Sequence, residues 1–105
     1  MTSSWIDAAA LADVTEDAVL PVEAGGHQIA LFRLDGAVFA LLDQCSHGYA
    51  RLSDGYIEDG CVECPLHQGL VDIRTGEPRS APIVDPVRSF PARVVGDRVE
   101  VAIGN

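Results

Sequence analysis

Runs of strand-like character recur along the chain at short, regular intervals. Val19 to Val22, Gln28 to Leu34, Val38 to Leu42, Cys61 to Glu63, Leu70 to Ile73, Arg93 to Val95 and Val99 to Ile103 are rich in apolar and β-branched residues. Between them stand Gly25-Gly26, Asp35-Gly36, Asp59-Gly60, Thr75-Gly76 and Gly96-Asp97, residues that tolerate the positive φ of tight hairpin turns. In the last run Val99, Val101 and Ile103 alternate with Arg98, Glu100 and Ala102, the period-two signature of a strand with one wet face. Only Ala8 to Asp13 has helical character, enough for a turn or two. Pro82, Pro86 and Pro91 cluster late in the chain, where fixed φ and missing donors predict a stiff loop or an edge. The pattern predicts an all-β fold, a small antiparallel sandwich or barrel, with one domain over residues 1–105.

Composition narrows the partners. The chain of 105 residues is 48% hydrophobic, enough for one modest core, and a metal centre joining distant loops would add to its stability. Its net charge is -9, from 16 acids against seven bases, every one an arginine. Nucleic acid and anionic membrane surfaces are disfavoured partners, because both require a basic face. An acidic small protein is suited to steering toward a basic patch on another protein, and the acids also keep it dissolved. Asp7, Asp13, Glu16, Asp17 and Glu23 all precede the first base, Arg33. No secretory signal is visible, and the apolar run Ala37 to Leu42 is far too short to cross a bilayer, which points to the cytoplasm. Three cysteines argue against a disulfide framework and for metal binding or free thiols.

The chemistry is concentrated in Cys45-Ser46-His47-Gly48 and Cys64-Pro65-Leu66-His67-Gln68-Gly69. Together they read Cys-x-His, sixteen intervening residues, then Cys-x-x-His. Each segment supplies one thiolate and one imidazole, follows a predicted strand, and has a nearby glycine that allows close backbone approach to a metal or sulfide. Two Cys and two His could hold a single tetrahedral zinc ion. Zinc fingers usually pair like ligands within a loop, whereas here each loop mixes them. That mixture favours a two-iron cluster in which one iron takes both cysteines and the other both histidines, with zinc as the alternative.

These motifs, with Leu52-Ser53-Asp54-Gly55-Tyr56, Asp72-Ile73-Arg74-Thr75-Gly76 and Ala81-Pro82, resemble the Rieske ferredoxins of bacterial aromatic-ring-hydroxylating dioxygenase systems, of naphthalene or biphenyl type. The resemblance runs from Trp5-Ile6 to the last strand. It implies a Rieske-type antiparallel β-sandwich with a small cluster-binding subdomain and one [2Fe-2S] cluster held by Cys45, His47, Cys64 and His67. It further implies a non-catalytic, monomeric electron carrier working between an NAD(P)H-dependent flavoprotein reductase and a terminal Rieske oxygenase. A Rieske-like small subunit of nitrite reductase is the alternative within the family, and a zinc-stabilised interaction module the alternative outside it. The imidazoles of His47 and His67 would lie at the protein tip, and Pro82 would belong to a proline-bearing loop over the cluster.

Two ferric ions, two sulfides, two thiolates and two neutral imidazoles carry no net charge together, whereas four thiolates would leave two negative charges. Histidine ligation therefore eases reduction. High-potential Rieske proteins add a cysteine to each loop and a serine after the second histidine. Here Ala50 and Leu66 lie near the cysteine positions, and Gly69-Leu70 offers no hydroxyl. The expectation is the low end of the Rieske span of roughly -150 to +300 mV. Of the remaining residues, His27 is expected on the surface of a hairpin turn, and Cys61 on the strand face opposite Cys64. Trp5 is expected as a packing residue and Arg51 as a solvated charge.

Overall fold

The computed structural model describes residues 4–44, 50–65, 68–81 and 85–103. Among these residues ten strands form three antiparallel sheets: β1 (Ser4–Ala10), β2 (Leu20–Ala24), β3 (His27–Leu34), β4 (Ala37–Leu42), β5 (Tyr56–Glu58), β6 (Cys61–Glu63), β7 (Leu70–Asp72), β8 (Ser89–Phe90), β9 (Ala92–Val95) and β10 (Arg98–Ile103). The sheet orders are β1-β10-β9, β2-β3-β4-β8 and β5-β6-β7. The all-β expectation is met, and each sheet is antiparallel throughout. Among the described residues no helix is long and apolar enough to cross a membrane.

The four-stranded sheet is the centre of the molecule because both of its faces are apolar. Ile29 and Leu31 of β3, with Val38 and Ala40 of β4, face the first sheet and bury Ala9, Val99 and Val101 against Phe90. Ala30, Phe32 and Leu34, with Leu41, face the other way and pack on Val62 and Val71 of the third sheet and on Ile73 just after it. This division follows the two-residue period and the register Ala30↔Leu41 and Leu31↔Ala40. It also explains why β3 reads as a nearly unbroken apolar run rather than as an alternation. Pro21 lies in β2, the edge of this sheet, where a strand tolerates a residue without an N–H donor.

The N-terminal expectation needs correction. Ala8 to Ala10 belong to β1, and only Leu11–Asp13 form a single 3-10 turn. Pairing of Ile6 with Val101 and Ala9 with Val99, through an irregularity between Asp7 and Ala9, overrides the helical preference of alanine. At Asp35-Gly36 and Asp59-Gly60 both turn residues have positive φ, as the sequence predicts. Among its described residues the late proline segment holds no long strand: β8 is two residues between Pro86 and Pro91.

Candidate metal centre

Two stems flank the first cysteine–histidine segment. Its incoming stem is the end of β4, where Asp43 donates its backbone N–H to the Gln28 carbonyl at 2.9 Å. Its outgoing stem is the 3-10 turn Leu52–Asp54. The Asp43 carboxylate ties the two together: Oδ1 accepts from the Ser53 amide and Oδ2 from the Ser53 hydroxyl, each at 2.7 Å. Arg51 Nη2 adds an ion pair to Oδ2 at 3.4 Å. The Asp43 side chain is fully buried, and it is the one charged residue in the buried set among the described residues. A carboxylate with three donors is an acceptable buried group where an unpartnered one would not be.

The second segment caps the hairpin between β6 and β7. Cys64 follows directly on β6 and is fully buried, in the same apolar cluster as Leu52, Val62, Val71 and Val87, with Ala50 packed against it. Its N–H donates to the Gly69 carbonyl and its carbonyl accepts from the Gln68 N–H, both at 2.8 Å, so the loop is closed at its base. Gln68 makes that closure at φ +61. The two stems are also in direct contact. A Cβ on Gly55 would run into the carbonyl oxygen of Glu63, the residue before Cys64.

A third segment is sewn to both. The Leu70 N–H donates to Ser80 Oγ at 2.9 Å, and the Leu70 carbonyl accepts from the Arg79 N–H at 2.7 Å. Farther on, Val87 N–H donates to the Gly76 carbonyl and Leu42 N–H to the Arg88 carbonyl, both at 2.8 Å. Asp72, at the end of β7, organises the turn between these attachments. One of its oxygens accepts from the amides of Arg74 and Thr75, and the other from both Nε and Nη2 of Arg79. Burial works against its charge, but the Arg79 guanidinium and those amides outweigh it and hold the carboxyl below the ordinary carboxylate value.

Of the four ligands expected from the sequence, Cys64 is placed by this framework. Cys45, His47 and His67 lie outside the described residues, as do Leu66 and Pro82. Cys61 is half-buried on the outer face of β6, across from the inward-facing Val62 and Cys64, as strand alternation predicts. Burial, then the nearby Asp72 carboxylate, pushes its thiol above the ordinary value.

Other expectations change. His27 is the first residue of β3 and partly buried, not a turn-tip residue; Nδ1 is 3.1 Å from the Gly25 carbonyl oxygen, and its ring meets Phe90 edge-on at 5.7 Å. Trp5 is 39% exposed, packed under the Arg93 guanidinium at 4.0 Å. Arg51 is half exposed but paired with Asp43 rather than simply solvated. The Asp43–Ser53 tie and the Asp72–Arg79 fork carry no sequence signal of their own, because partners ten and seven residues apart share no local element.

The framework suits an iron–sulfur cluster. Its described ligand candidate is a thiol removed from water, on a loop base whose backbone is fixed by hydrogen bonds, and thiolate with imidazole is the donor set such a cluster takes. A model of the family described as the Rieske [2Fe-2S] domain matches residues 4–91. Over 102 residues the chain is 55% identical to the anthranilate 1,2-dioxygenase ferredoxin subunit of Burkholderia cepacia, an alignment spanning 97% of this chain and 94% of the relative. The fold superposes on the ferredoxin of carbazole 1,9a-dioxygenase from Nocardioides aromaticivorans IC177 with a TM-score of 0.90 and 32% identity, over 95% of this chain and 98% of that one. It also superposes on a chain from a complex of reduced oxygenase and oxidized ferredoxin in carbazole 1,9a-dioxygenase, with a TM-score of 0.87, 31% identity, and coverage of 96% and 94%.

Proposed function

This chain belongs to the Rieske [2Fe-2S] family, among the ferredoxins of aromatic-ring dioxygenase systems, and from that premise we propose the electron route it serves and the residues that serve it. It is an electron carrier rather than a catalyst, and its cofactor is a Rieske [2Fe-2S] cluster. The ligands in this reading are Cys45 and Cys64 on one iron and His47 and His67 on the other. When bound, the cluster takes up and returns one electron at a time. Electrons pass to a terminal aromatic-ring-hydroxylating oxygenase, and they arrive from an NAD(P)H-dependent flavoprotein reductase. The carrier works as a monomer in the cytoplasm, and residues 1–105 act as one domain, which the shared cores of the central sheet support.

The observation that carries the reading is the 55% identity, over nearly the whole chain, to a dioxygenase ferredoxin subunit. It favours a dioxygenase system over a nitrite reductase subunit and over a zinc module. The chain's own residues do three things in this function. Cys64 and its closed hairpin hold a thiolate away from water. Asp43 and Ser53 fix the spacing of the stems that carry Cys45 and His47. Asp72, through the Arg79 guanidinium, and Ser80 keep the third segment attached beside β7. The absence of a hydroxyl at Gly69 and Leu70 supports a low potential within the family's range.

The test combines composition, spectroscopy and reconstitution. The purified protein is expected to contain two irons and two sulfides per chain. After reduction it should give the low-temperature paramagnetic signal of a histidine-ligated diiron centre, and oxygenase turnover with reductase present should depend on it. Cys64→Ala should lose the cluster and the turnover together. Intact cluster absorption in Cys64→Ala would refute the ligand assignment.

A further inference from the structure

The geometry at the foot of the first ligand loop exceeds what holding the stems requires. Asp43 accepts from the Ser53 amide and hydroxyl, which a neutral asparagine oxygen could also do in part. A buried carboxylate is the costlier choice, since taking a charge out of water is offset only by donors and a counter-charge. The counter-charge is Arg51, 3.4 Å away, and the two are screened unequally: the Asp43 side chain is 0% exposed and that of Arg51 51%. Arg51 also reaches the Gln28 side-chain oxygen at 3.5 Å, which holds the guanidinium along the surface of the stem. Asp43 stands two residues before Cys45, and chain geometry alone keeps their Cα atoms within about 7 Å.

We propose that Asp43 and Arg51 set the electron affinity of the centre as an opposed pair, Asp43 lowering it and Arg51 partly restoring it. The inference rests on the reading of Cys45 as a ligand. Its physical basis is that an added electron meets a negative charge that water cannot reach and a positive one that water half screens. The two therefore do not cancel, and the net field is negative. In this role Asp43 and Arg51 are positioning and tuning residues; neither exchanges electrons.

The experiment is a redox titration of the loaded protein, followed by absorbance, for the wild type and for Asp43→Asn, Arg51→Gln and Arg51→Lys. Asp43→Asn should favour the reduced form by about tenfold, which is about 59 mV for a one-electron couple. Arg51→Gln should move the equilibrium the other way by a smaller factor, and Arg51→Lys should return it toward wild type. The paramagnetic signal of the reduced state should keep its shape in all of them. If Asp43→Asn keeps its cluster without a shift, or if the Asp43 and Arg51 variants shift in the same direction, the proposal falls and Asp43 is a structural tie only. Should Asp43→Asn fail to retain a cluster, the exposed Arg51 decides, because an unmoved Arg51→Gln overturns the proposal by itself. Wild-type protein lacking the histidine-ligated signal would instead sink the ligand reading on which the proposal stands.

Discussion

At Gly76 the backbone stands at φ +82, and a Cβ there would collide with the carbonyl oxygen of Val87. Gly26 has nearly the same φ, +81, with nothing within 4 Å of the same position. The two residues therefore separate the cost of a left-handed backbone from the cost of a blocked approach. Gly26→Ala should lose about 1–2 kcal/mol, the penalty of the conformation alone. Gly76→Ala should lose that and a further ~1–3 kcal/mol of overpacking, because its neighbour is backbone held by the Val87 N–H to Gly76 carbonyl bond and cannot swing away. Denaturation of both variants checks this, and equal losses would show that the 85–88 segment yields freely. Gly76 lies in the turn between Asp72 and the third segment, so its variant should also release iron sooner on heating.

That turn belongs to β7, whose last residue shows how a short element is held by side chains rather than by length. β7 has three residues, and Asp72 fixes the turn after it through two amides and the Arg79 fork. With its folded-state pKa lowered from 3.8, Asp72 favours the fold above that value, and its contribution is lost as pH falls through the lower folded value. Wild type should therefore melt a few degrees above Asp72→Asn at neutral pH, a gap closing as pH drops below about 4. A gap that persisted in strong acid would assign the difference to shape rather than charge. None of this is legible in the sequence. β3, β4, β6 and β10 can be read from apolar and β-branched runs between glycine turns, because those signals are local. β1 cannot, since its alanines favour a helix until β10 pairs with them, and β8, at two residues, is too short for any periodicity. Likewise the cysteine–histidine residue types and their spacing are sequence signals, whereas the Asp43–Ser53 tie exists only once β4 and the Leu52–Asp54 turn lie side by side.

Across the whole molecule the charges are unevenly matched. Five of the seven arginines sit in ion pairs with acids: Arg51, Arg74, Arg79, Arg93 and Arg98. Of the other two, Arg33 donates to the Val14 carbonyl and Arg88 lies over the Phe90 ring at 4.6 Å. Asp54, Glu58, Asp59 and Glu63 have no ion pair among the described residues, and they lie in the short connection between the two cysteine–histidine segments, with Glu63 adjoining Cys64. Tyr56, 70% exposed, stands opposite Glu63 across the β5–β6 pair. Uncompensated negative charge therefore collects in two stretches, this one and the N-terminal third with Asp13, Glu16, Asp17 and Glu23, and reduction of the cluster adds one unit more. Such a field steers a basic partner over distances that salt screens, about 10 Å at 0.1 M and 3 Å at 1 M. Electron delivery to the oxygenase, followed by stopped flow, should therefore slow about tenfold or more between 0.01 M and 0.5 M salt. Glu58→Gln combined with Glu63→Gln should flatten that dependence while leaving the cluster's absorption unchanged, because both side chains point away from the core that contains Cys64. A rate indifferent to salt would mean that the excess of acids serves solubility and has no part in bringing the partners together.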